Sequence, residues 1–183
     1  MNAMKNVLAF IILLASLTSA QAQVKNSSYT ATTGEKVLQL EIIYPADLKT
    51  TWQLFTTDDG LKKWIAPVVH IDYVVGGSIT TNYDKNKSLI DPSSIKLPII
   101  SYLENQMLTL KVNLNDNFPA SCRNSDKNLQ EVLQFKEAGP GQTRIISSMI
   151  GWGTGPDWDK TYKFFEKGNE WTYLQLLKVA SPR

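Results

Sequence analysis

A chain of 183 residues is long enough for one domain with a sizeable core. Its formal charge of +2 is small, with no basic run or arginine cluster, which argues against a nucleic-acid partner. A single cysteine, Cys122, excludes an internal disulfide, so stability must come from packing.

The first residues read as a targeting segment. Lys5 precedes an apolar run, Val7 to Leu17, that is too short to span a bilayer as a mature helix. Ala20-Gln21-Ala22 supplies the small-x-small pattern that signal peptidase needs. The expectation is a signal peptide over residues 1–22 and export to the periplasm or the medium. After processing, no stable membrane span is expected. Residues 23–35 are polar and are expected as a flexible lead-in.

From Val37 the pattern turns regular. Leu38, Leu40, Ile42 and Tyr44 alternate with Gln39 and Glu41, as in a half-buried strand. Pro45 opens a helix whose apolar stripe is Leu48, Trp52 and Phe55, with Trp52 in the core. Thr57 is placed to cap a second short helix bearing Leu61, Trp64 and Ile65, and Pro67 stops it. Strands are then predicted over 68–75, 78–84, 95–103, 107–114, 129–136 and 142–150. Gly76-Gly77 and the run Glu137 to Gly141 mark turns, and Pro98 suggests an edge strand or a bulge. Residues 115–128 are expected as a long loop. Short turns between successive strands imply an antiparallel meander.

The chain closes on a glycine-rich bend, Gly151 to Gly155, and a long helix. Pro156 suits the first helical position, and Asp157 and Asp159 suit the positive end of the helix dipole. Trp158, Tyr162, Phe165, Thr172, Leu176 and Val179 form one stripe, interrupted near Gly168. An aromatic half followed by a gap suits a helix that roofs a cavity.

This order of motifs resembles the START/Bet v 1-like (SRPBCC) superfamily, in particular the branch named for the C-terminal domain of the activator of Hsp90 ATPase. The matching pieces are Tyr44-Pro45-Ala46, Trp52-Gln53-Leu54-Phe55-Thr56, Gly60-Leu61-Lys62-Lys63-Trp64, Val75-Gly76-Gly77-Ser78-Ile79 and Gly151-Trp152-Gly153 before Trp158. They span roughly residues 36–179. The resemblance implies an α+β helix-grip fold. In it, a curved antiparallel sheet of about seven strands wraps a long C-terminal helix, with two short helices after the first strand. It also implies an internal cavity for a small apolar or amphipathic molecule. It does not extend to Hsp90 as partner, because the expected export signal separates the two and the co-chaperone's N-terminal domain has no counterpart here.

Trp64 and Trp158 fall in elements that border the cavity in such folds, and Tyr83, Phe118, Tyr162 and Phe165 join them as candidate ligand-binding residues. Aromatic walls with polar tips suit a small-molecule pocket, although plain packing explains each residue equally well. Catalytic and metal-binding residues are not expected. His70 is the only histidine, and Asp72 on its face makes a solvated pair. Ligands for a metal are too few, and the Gly151–Gly155 bend lacks the lysine of a phosphate-binding loop. No cofactor is expected. Binding of an apolar molecule is therefore the leading expectation, ahead of a cyclase- or hydrolase-type enzyme and a protein-interaction module.

Overall fold

The computed structural model describes residues 23–126 and 128–180. The expected leader, residues 1–22, lies outside the described residues. Among these, the strands are β1 (Val24–Asn26), β2 (Tyr29–Thr30), β3 (Lys36–Tyr44), β4 (Val68–Ile71), β5 (Ser78–Asn82), β6 (Ile95–Leu103), β7 (Met107–Lys111), β8 (Gln130–Gly139) and β9 (Gln142–Ile150). The helices are α1 (Leu48–Thr56), α2 (Asp58–Lys62), α3 (Ala120–Ser125) and α4 (Pro156–Ala180).

The strands form one antiparallel sheet in the order β1-β3-β9-β8-β7-β6-β5-β4, with β2 also on β3. From β4 to β9 the sheet is an unbroken meander. β3 leaves sequence order: α1 and α2 follow it, and it pairs with β9 instead of β4. The sheet curves around α4, which gives the α+β helix-grip architecture.

Local chemistry explains the elements. Leu38, Leu40, Ile42 and Tyr44 bury one face of β3. Asp47 caps α1 by accepting the Thr50 N–H at 2.8 Å, and Thr57 caps α2 by accepting the Gly60 N–H at 3.0 Å. Gly155 accepts the Asp159 N–H at 3.0 Å and so opens α4. Pro98 lies in the interior strand β6, and the register shifts between Ile99 and Ser101, so the bulge is formed and the strand is not an edge.

Two apolar cores result. The larger gathers Trp52, Phe55, Leu61, Trp64, Phe135 and Tyr173 with the apolar faces of β3 to β9. The smaller holds Leu38, Val112, Cys122, Leu129, Met149 and Trp158. In the larger one Trp52 is 4% exposed and meets Phe135 edge to face, with ring centroids 5.0 Å apart.

Four expectations are corrected. Residues 23–35 are not a featureless lead-in: Val24 is buried and pairs with Ile42, and Tyr29 pairs with Val37. These short strands raise the sheet from about seven strands to nine among the described residues. The strand expected over 68–75 ends at Ile71, because Asp72 to Gly77 form a turn in which the Asp72 N–H bonds to Ser78 O and the Gly77 N–H to Val74 O. Finally, the expected loop at 115–128 contains α3, which buries Cys122 against α4.

Candidate ligand-binding cavity

Between α4 and the concave face of the sheet lies a cavity of about 360 Å³. This is within the range of small-molecule sites, roughly 300–1,000 Å³. Its floor comes from inward-facing residues of β5 to β9, including Ile79, Leu97, Leu110 and Leu133, while Phe55 and Leu61 close one side. Its roof is the middle of α4. A side chain added at Gly168 would meet nothing within 4 Å, so the gap in the helix stripe opens onto empty space.

Four of the six aromatic candidates line this cavity: Trp64, Tyr83, Phe118 and Phe165. Trp64 is buried, donates its indole N–H to Leu54 O at 2.9 Å, and stacks near Tyr173 at 5.9 Å. Phe118 stacks on Phe165 with centroids 5.3 Å apart and an interplanar angle of 2°. Tyr83 is 56% exposed and stands at the mouth with the exposed rings of Phe164 and Trp171.

Trp158 and Tyr162 lie elsewhere. Trp158 is buried in the smaller core, where its indole donates to Ser125 Oγ at 3.0 Å. A Cβ at position 153 would fall 2.2 Å from its Nε1, so glycine is required for the indole to seat on the bend. Gly151 has φ +82°, and a Cβ there would meet Asn128 O at 2.1 Å. The Gly-Trp-Gly motif is thus a packing device. Tyr162 packs on Trp152 at 4.9 Å, with Lys36 Nζ 5.9 Å from its ring centre. Helical periodicity groups both with Phe165, but the first turns of α4 meet a closed core and only the next turns span the opening.

Sequence reasoning missed the polar centre of the cavity. Glu131 follows the inward alternation of β8, Glu131-Leu133-Phe135, and lines the cavity. Its Oε1 accepts the Tyr173 hydroxyl at 2.7 Å and the Ser147 hydroxyl at 2.5 Å. Burial, and then the Glu131 charge, push the Tyr173 phenol well above its usual 10.0, so it remains a neutral donor. An acidic residue on the apolar face of a strand was the available signal. Asn113, Asn115, Asn117 and Asn169 add amides to the lining.

His70 and Cys122 do not line the cavity. His70 is exposed and its Nδ1 lies 2.9 Å from Asp58 Oδ2, so its partner is on α2 and is not Asp72. Asp58 Oδ1 also accepts the Ile71 N–H at 2.8 Å. Cys122 is fully buried, with Sγ 3.5 Å from Thr161 Oγ1. Among the described residues there is no cluster of three or more His, Cys, Asp or Glu side chains able to hold a metal. No described helix is long and apolar enough to cross a membrane.

No family model matches the chain, and no curated protein matches it. Solved structures do. CalU16 from Micromonospora echinospora superposes with a TM-score of 0.61 at 13% identity, over 88% of this chain and 76% of that one. The Aha1 dimer from Colwellia psychrerythraea gives 0.55 at 20% identity, over 79% and 92%. A conserved protein of unknown function from Enterococcus faecalis gives 0.57 at 18% identity, over 85% and 75%. At these identities the likeness is one of fold, and the chain shares the helix-grip architecture of Aha1 and CalU16.

Proposed function

We propose that this protein is a START/Bet v 1-like member that binds a small apolar or amphipathic molecule between α4 and the sheet, with Trp64, Tyr83, Phe118 and Phe165 among its contacts. The observation that carries this reading is the opening under Gly168. Close-packed interiors rarely leave voids larger than a water molecule, and a stable fold has no need of this one. Export through a leader ending at Ala22 belongs to the same proposal, and a secreted form whose mass includes residues 1–22 would remove it.

The test fills the cavity without breaking the fold. Gly168→Leu replaces a poor helix former with a good one and sends its side chain into open space. The variant should melt no lower than wild type and lose binding of an environment-sensitive apolar dye. Unchanged dye binding would place the dye elsewhere and remove the cavity reading.

A second reading is a cyclase- or hydrolase-type enzyme, which the Glu131–Ser147–Tyr173 group supports, because a carboxylate facing a bound substrate can serve as a general base. Recovery of a chemically altered ligand from wild type but not from Glu131→Gln would favour it over simple binding.

A further inference from the structure

We infer that the ligand is a lipophilic amine, anchored through its protonated nitrogen by Glu131. The inference rests on the cavity-binding reading and adds the chemistry of the ligand's polar end.

Three observations converge. First, among the described residues Glu131 supplies the one carboxyl group in the lining, and no lysine, arginine or histidine among them lines the cavity. Second, Glu131 joins no ion pair among the described residues. Both hydroxyl bonds fall on Oε1, and Oε2 has no hydrogen-bond partner among the described residues. Third, the surrounding wall is aromatic, with Trp64, Phe118, Phe165 and Tyr173 among its rings.

Each has a physical consequence. Two hydroxyls donate to Oε1 and none of the described residues donates to Oε2, so the second oxygen can still accept a hydrogen bond. Ser147 and Tyr173 are almost fully buried, which fixes the carboxylate and commits Oε1. A carboxylate facing an apolar chamber without a counter-ion is costly, and a cation entering the chamber offsets that cost. A protonated amine does so with a charge-assisted hydrogen bond to the open oxygen. Aromatic faces then stabilise the remaining positive charge. A carboxylate or phosphate headgroup would meet repulsion at the same place. An alcohol would gain a hydrogen bond but no charge pairing.

The experiment is calorimetric titration of the full chain with three probes that share one apolar body: octylamine, octanol and octanoate. Octylamine should bind roughly ten-fold or more tighter than octanol, the size of a charge-assisted bond over a neutral one, and octanoate should bind weakest. In Glu131→Gln, which retains an acceptor for Tyr173, the amine preference should disappear. Equal affinity for octylamine and octanol in wild type, or tighter binding of octanoate, overturns the inference while leaving the cavity reading intact. No binding of any probe overturns both. A preference that survives in Glu131→Gln places the amine elsewhere and also overturns the inference. If that variant fails to fold, the ranking of the three probes on wild type decides the matter.

Discussion

The first turns and the middle of α4 roof different interiors. Under its first turns, Trp158 seats on Gly153, Cys122 meets Thr161, and Trp152 and Tyr162 close the side, so the space is filled. Under its middle, Gly168 faces open space above Glu131, although the same sheet forms the floor. One helix and one sheet thus build a closed core and a chamber. Side-chain volume at a few positions makes the difference, not a change of architecture. Aromatic residues hold the helix at one end, Tyr173, Leu176 and Leu177 hold it at the other, and the span between need not be packed.

The largest test of this contrast is Trp158→Ala. Removing a buried tryptophan from a filled core costs ~3–5 kcal/mol. The thermal midpoint should fall sharply, and a midpoint within a degree or two of wild type would mean that this end is not filled. Tyr162→Ala should follow at about 2 kcal/mol, less because the ring is only partly buried. It should leave dye affinity unchanged, and altered affinity would join Tyr162 to the chamber. Gly168→Ala reverses the sign. With no neighbour within 4 Å it should raise stability by about 1 kcal/mol, read from chemical denaturation. A loss there would show that the span is already packed.

The smallest effect concerns alkaline pH. A folded-state phenol raised above its unfolded value contributes stability below about pH 10 and loses it as pH rises through the folded value. Tyr173→Phe has nothing to ionise at that position. Its denaturation midpoint should therefore fall less steeply than that of wild type between about pH 9 and 11. Parallel curves would mean that Tyr173 is not shielded.

Much of this molecule was legible as periodicity. β6 and β9 coincide with the predicted runs 95–103 and 142–150, and Thr57 and Pro156 stand where capping chemistry places them. What stayed hidden depends on distant partners. β1 and β2 are very short, and they are held by pairing with β3 and, for β1, by burial of Val24 and a bond from Asn26 to Glu166 of α4. α3 carries little local signal and is fixed by burial of Cys122. The division of the aromatics followed from where the floor closes, which no spacing within α4 encodes. Glu131 was visible as a charge in an apolar alternation, but its significance required Tyr173, 42 residues away, and Ser147, 16 away.

The His70–Asp58 contact has a colloidal consequence. β4 is the outermost strand on its side of the sheet, and an open strand edge is a template for a second chain. Asp58 blocks that template by accepting the outward N–H of Ile71. Burial works against its ionisation, but the bonds from His70 and Ile71 prevail and hold its carboxyl below the usual range. A depressed carboxylate keeps its partner through neutral pH and loses it as pH falls through the folded-state value. Acid would therefore unseal the edge and permit strand-to-strand association. Asp58→Ala should scatter more light than wild type at neutral pH in concentrated solution, and equal scattering would show that another feature guards the strand.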